Sequence, residues 1–188
     1  MSGRILGIFG LCLGLVAFPR TCPAPLIFKA GEGWTYEPIG GTSDWQKTRA
    51  KDQLELTTAA FEKGDYGLAQ KSAKRLVKQW PLSDYTPEAQ YYVARCYEEE
   101  KRDERAFKEY QKLLEKYPKA KNYDEVLKRQ YGIATRYLNG QKFKLFGYLP
   151  LYRSMEKTAK MYEKIIKNGP YSEVAPAAQM NIGTANEK

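Results

Sequence analysis

Histidine is absent from all 188 residues. With it go the commonest general base, the Ser–His and Cys–His nucleophile pairs, and any zinc or iron site built on imidazole. Cysteine is scarce, at three. Cys12 and Cys22 fall within the first 25 residues, and Cys96 lies in the helical pattern YYVARCY, where a small core residue is the expected role. No disulfide framework follows from such a set. A long apolar run is also lacking: the longest covers 5–18, 14 residues, against roughly 20 needed to span a bilayer. No motif for a catalytic centre, a metal or a cofactor is present, so a non-enzymatic protein with no cofactor is expected.

The short run does fit another role. One arginine, Arg4, precedes it, and the length and basic start match a secretory signal, with a retained membrane anchor as the rival reading. Residues 1–25 are therefore expected to be a signal peptide or membrane leader. The processing site is open, since Cys22-Pro23-Ala24 is followed by Pro25. Neither Cys12 nor Cys22 is preceded by the small residues of a lipid-acceptor motif. Export without paired cysteines points to the periplasm, or the periplasmic face of the outer membrane, of a Gram-negative-type bacterium. Residues 26–44 lack helical period and are expected to form an extended lead-in that packs Trp34 and Tyr36 on the first helices, with Ser43 or Asp44 as the first N-cap.

Charge is unevenly spread. The net is +9, of which residues 128–168 contribute +8, from ten Lys/Arg against Glu156 and Glu163. A basic region can attract nucleic acid, but an exported chain rarely meets any and no recognition motif appears. Acidic proteins or anionic membrane surfaces are the expected partners of that region.

From residue 45 the chain repeats itself. LAQKSAKRLVKQWP at 68–81 has a near copy, RAFKEYQKLLEKYP, at 105–118. Apolar residues at steps of three and four mark one helix from Gln53 to Phe61 and a second from Tyr66 to Trp80, released by Gly64-Asp65 and stopped by Pro81. Ala89, Tyr92, Val93, Cys96 and Tyr97, then Ala106, Tyr110, Leu113, Leu114 and Tyr117, repeat the pair up to Pro118. Ala69 and Ala106 stand 12 residues before their prolines, where a small side chain lets two helices approach. A third pair follows, with Thr158 in the alanine place, Gly169-Pro170 as the stop, and twelve extra residues in its turn. The stretch APAAQMNIGTANEK then begins another first helix. The expected fold is all-α, a solenoid of antiparallel helix hairpins, with units at about 45–81, 82–118 and 119–170 and an incomplete unit at 171–188. Lys188 is not expected to be the natural end.

Helix pairs of about this length, with small residues at the crossing and a terminal proline, have the pattern of tetratricopeptide repeats, in which stacked hairpins share one core. More narrowly, Gly64, Tyr66, Ala69, Trp80, Pro81, Ser83, Ala89, Ala94 and Tyr97 resemble the first repeats of the outer-membrane β-barrel assembly lipoprotein family (the BamD or YfiO family). The resemblance runs over about 45–188 and covers the front part of such a protein. It implies a role in recruiting and folding outer-membrane proteins, by binding extended substrate segments and assembly subunits. The missing lipid-acceptor motif and the inserted turn depart from that family.

In such solenoids the first helices line the concave face. Phe61, Tyr91, Arg95, Lys128 and Tyr131 fall at the right phase to bind a polypeptide there, tyrosine and arginine being the types that anchor peptides best. Ordinary packing between repeats is the alternative for each. The insertion LNGQKFKLFGYLPLYRS concentrates Phe143, Leu145, Phe146, Tyr148, Leu149 and Tyr152 in a turn that is normally polar. Either it docks a partner or an anionic membrane, or it folds back to cap its own hairpin. Three functions remain: a scaffold in outer-membrane protein assembly, a generic adaptor for other envelope complexes such as cell-division or cell-wall machinery, or the accessory region of a larger enzyme.

Overall fold

The computed structural model describes residues 26–31, 33–36, 44–145 and 149–187. The leader at 1–25, with Cys12 and Cys22, lies outside them, as does Ser43. Seven helices carry the described chain: α1 (Ala50–Glu62), α2 (Tyr66–Gln79), α3 (Thr86–Glu99), α4 (Asp103–Lys116), α5 (Tyr123–Leu138), α6 (Met155–Asn168) and α7 (Ala175–Glu187). Two short hairpins accompany them, β1 (Leu26–Lys29) with β2 (Gly33–Tyr36), and β3 (Phe143–Leu145) with β4 (Leu149–Tyr152), both antiparallel. The architecture is an all-α solenoid. Helix α3 lies as extensively on α2, the end of the preceding hairpin, as on its own partner α4.

The crossings are set by small residues. Ala69, Ala73, Ala89, Ala94 and Ala106 have no exposed surface, and Thr158 takes the corresponding place in α6 with its hydroxyl donating to the Ser154 carbonyl at 2.9 Å. Ala69 joins Ala60 and Cys96 in a smaller cluster. Around most of the others Leu76, Tyr110, Leu113, Leu127, Ile133, Tyr137, Tyr162 and Ile165 form one continuous core. The aromatic before the first stop, Trp80, is buried in it, and Tyr117 packs at its edge. At the third stop a glycine stands instead. A Cβ on Gly169 would come within 2.5 Å of Leu127 Cδ1, so α5 occupies the space that an aromatic would need.

Three expectations for the first hairpin need correction. Asp44 does not cap α1, which starts at Ala50 after Arg49, whose side chain makes no cap bond. Gln53 holds the approach as an irregular turn, accepting from the Lys47 amide at 2.8 Å and donating to the Trp45 carbonyl at 3.1 Å. The buried stripe of α1 is partly polar: Ala59 is exposed and Thr57 buried. Gln53, Thr57 and Ser72 bond one another inside the α1–α2 interface, so their polar groups are satisfied without water. The lead-in is paired as β1–β2, and Trp34 does not reach the helices; it stays 67% exposed, edge-on to Phe28. Tyr36 ends β2 opposite Leu26. The hairpin docks through its turn, where the Gly31 carbonyl accepts from the Asp84 amide at 2.9 Å and the Ser83 hydroxyl at 3.1 Å.

Each first helix ends in the same way. The chain reverses through a left-handed residue, Gly64, Lys101 or Gly140, at φ of 78°, 58° and 105°. The next amide reaches back to Ala60, Tyr97 or Arg136 and satisfies a carbonyl that the helix leaves free. Two of the three are glycine, which adopts this conformation without steric cost. Lys101 is the exception. Replacing it by glycine (Lys101→Gly) is expected to stabilise the fold by about 0.5–1 kcal/mol, read as a higher urea midpoint at unchanged slope.

Candidate functional site

The first helices α1, α3 and α5 bring one aromatic and charged cluster together. Phe61 at the end of α1 meets Tyr92 of α3 edge-on at 5.3 Å, and Tyr92 meets Tyr91 at 5.8 Å. The Arg95 guanidinium lies over Phe61 at 5.1 Å and over Tyr91 at 5.8 Å, donates to the Tyr91 hydroxyl at 3.1 Å, and pairs with Glu99 at 2.9 Å. Helix α5 closes the cluster from the other side. The Tyr91 hydroxyl donates to Glu125 at 2.5 Å, and Arg129 bonds both, donating to Tyr91 at 3.2 Å and to Glu125 at 2.9 Å.

A ladder of charge continues from there. Glu98 accepts from the Tyr110 hydroxyl at 2.7 Å and pairs with Arg129 at 3.5 Å and Arg136 at 3.3 Å. Arg136 also grips Asp103 through two bonds of 3.0 Å, a fork-to-fork geometry that fixes both partners. Burial alone would raise the Glu125 carboxyl, but the hydrogen bonds from Tyr91 and Arg129 outweigh it and hold it below the ordinary carboxylate value. Burial pushes the Cys96 thiol up to about 12, which fits a packing residue rather than a nucleophile. Among the described residues no group of acids and cysteines is arranged to hold a metal. No helix there is long and apolar enough to cross a membrane.

The residues singled out in the sequence divide among several places. Phe61, Tyr91 and Arg95 meet, but Tyr91 is only 8% exposed, because it fills the joint between α3 and α5 rather than facing a groove. Lys128 lies elsewhere, exposed and paired with Glu173 at 2.6 Å. Tyr131 packs edge-on to Tyr162 at 5.7 Å, and its hydroxyl accepts from Asn181 of α7 at 3.0 Å. Tyr92, Glu125 and Arg129 were missed. The available signal was the spacing of four within Tyr91–Arg95 and Glu125–Arg129, one repeat apart.

The insertion folds back. Phe143 is 4% exposed, stacked on Tyr137 at 4.2 Å with planes 14° apart. It therefore offers no area to a partner, because the hairpin spends this side chain on its own helix α5. Leu145 pairs with Leu149 across β3–β4, and Phe146 and Tyr148 lie outside the described residues. Tyr152 stays 38% exposed, with its hydroxyl bonded by Lys157, whose ammonium sits 4.7 Å from the ring centre.

Residues 54–121, which run from α1 to just past α4, match the model of the tetratricopeptide repeat. No curated protein matches the chain at a significant level.

Two outcomes follow from this geometry. The depressed Glu125 carboxyl contributes stability above its unfolded value of about 4.3, and that contribution is lost as pH falls through the lower folded value. Denaturation midpoints followed from neutral pH to about pH 3 should therefore fall more steeply in the parent than in Glu125→Gln; equal slopes would show that solvent screens the pair. Phe143→Ala should cost roughly 3 kcal/mol if the stack on Tyr137 anchors the hairpin. A loss near zero in the same urea titration would mean that the insertion contributes nothing to the fold.

Proposed function

We propose that the chain is a non-enzymatic scaffold of the bacterial envelope, and that it holds polypeptides or partner subunits during outer-membrane protein assembly. Tetratricopeptide repeats are generally interaction scaffolds, and the match over 54–121 supports that class. The observation that carries polypeptide binding is the half-buried stack of Phe61, Tyr92 and Arg95, which spans the seam between the first and second hairpins. The Arg95 guanidinium sits 5.1 Å from the Phe61 ring centre and 5.8 Å from that of Tyr91, and its Nε is buried without an acceptor. An extended segment laid over this stack would gain aromatic area and supply carbonyl or carboxylate oxygens to a guanidinium already fixed in place.

The envelope setting rests on the leader-like start and on the likeness of residues 64–97 to the β-barrel assembly family. On this reading the protein works in the periplasm or at the periplasmic face of the outer membrane. A second reading, a general adaptor for cell-division or cell-wall complexes, is favoured by the match itself, which is to the repeat at large and names no assembly.

The test is depletion of the protein in its host, followed by an inventory of outer-membrane β-barrel proteins and of subunits co-purifying with the full chain. Barrel levels should fall, and assembly subunits should be recovered with the parent but less with Arg95→Ala. Unchanged barrel levels together with recovery of division or cell-wall proteins would replace this reading with the second.

A further inference from the structure

The inserted hairpin does more than cover Tyr137. Its strand β3 runs beside the turn between α3 and α4, where the Lys144 amide donates to Glu104 at 2.7 Å and the Lys144 ammonium to the Lys101 carbonyl at 3.0 Å. Lys144 thus divides two adjoining recesses, of about 320 and 570 Å³. Arg102, Arg105, Lys108 and Tyr137 line the smaller; Lys101 and Lys142 line the larger.

The carboxylates nearby are already committed. Asp103 is held by Arg136 and by Gln141 at 2.7 Å, Glu98 is shared by Arg129 and Arg136, Glu99 faces Arg95, and Glu100 pairs with Arg102 at 3.1 Å. Glu104 accepts the Lys144 amide and is the one acid of the lining with no cation paired to it among the described residues. By contrast, no carboxylate pairs with Lys101, Arg105, Lys108 or Lys142 among the described residues. Two of the cations are also positioned: Arg102 and Arg105 lie over the buried Tyr97 ring at 4.9 and 5.9 Å. Lys101 occupies a left-handed position that the sister turns give to glycine, so a lysine stands in this cleft at a conformational cost.

We propose that this cleft, between the inserted hairpin and the α3–α4 turn, is a second binding site, and that it takes an acidic, extended segment of a partner polypeptide. Charge complementarity selects the ligand sign, and the shape selects its class. The cations line a recess beside a tyrosine; a planar bilayer cannot enter a recess, whereas carboxylate side chains on an extended chain can. The site adjoins the Phe61–Tyr92–Arg95 stack through Glu99, which lines the larger recess and pairs with Arg95, but its cations are other residues, and it does not depend on which assembly the protein serves.

The experiment titrates the full chain into a fluorescein-labelled polyglutamate peptide at low and at physiological salt, reading anisotropy. The parent should bind, more weakly as salt rises. Arg105→Ala/Lys108→Ala should weaken binding about tenfold or more. Lys164→Ala/Lys167→Ala removes the same charge from exposed positions at the far end of α6 and should change it less than about twofold. Both pairs are on the surface, and thermal melts should match the parent. Equal losses in the two double variants would reduce the effect to net charge and overturn the proposal. So would an absence of peptide binding, or binding only to phosphatidylglycerol vesicles.

Discussion

No hairpin in this chain can bury its own apolar stripe, and the rest of the structure is built around that constraint. A pair of helices of 13 to 16 residues has one face against its partner and another left over. Helix α3 shows the outcome: Ala89, Val93, Ala94 and Tyr97 are buried between α2 on one side and α4 on the other. The alanines matter because they let two backbones approach from both sides at once, and large residues then fill the spaces above and below. The stacking also sets first helices beside one another, α1 against α3 and α5 against α7. The repeat is therefore a structural necessity before it is a functional device.

The joints are not alike. Helices α4 and α5 approach each other less closely along their backbones than the other consecutive helix pairs. Long side chains instead tie the second hairpin to the third: Tyr91 to Glu125, and Arg129 and Arg136 to Glu98, link α3 with α5, and Gln111 to Asn168 at 3.2 Å links α4 with α6. Tyrosine suits this place, since it carries apolar area across a gap and ends in a group that the charge ladder can bond. The cost is that Tyr91 becomes part of the joint and is withdrawn from the binding surface. Its neighbours Tyr92 and Arg95 keep partial exposure, and the proposed polypeptide contact rests on them.

Much of the fold was legible because its signals are local. Steps of three and four, a small residue twelve before each proline stop, and Gly64 after the first helix all act within one hairpin. What was not legible depends on neighbours. Lys101 hides a glycine-like conformation behind an ordinary residue, and Thr57 and Gln53 are buried only because Ser72 stands opposite. For the candidate site, helical phase set Phe61 and Arg95 on one side, and the structure brings the guanidinium to 5.1 Å from the ring. Phase could not separate Tyr91 from Tyr92, adjacent residues on one helix, since the position of α5 decides which of them is covered. In the insertion, composition showed apolar surplus but not its destination, which rests on the Phe143 ring finding Tyr137.

That destination also accounts for where the charge of the chain is useful. Twelve extra residues in a turn would leave apolar side chains in water unless something covered them. For Phe143, stacking on Tyr137 meets that requirement, and it carries Lys142 and Lys144 along with the strand. The hairpin then meets the α3–α4 turn, where Glu98, Glu99 and Asp103 are held by Arg129, Arg136 and Arg95, so these acids are not left to pair with the arriving lysines. Basic residues from the third hairpin and from the second thus converge although they are about 40 positions apart in sequence. An insertion that solved only its own exposure could have been uncharged. Combining an apolar anchor with flanking lysines makes the same segment a packing element on one side and an electrostatic wall on the other.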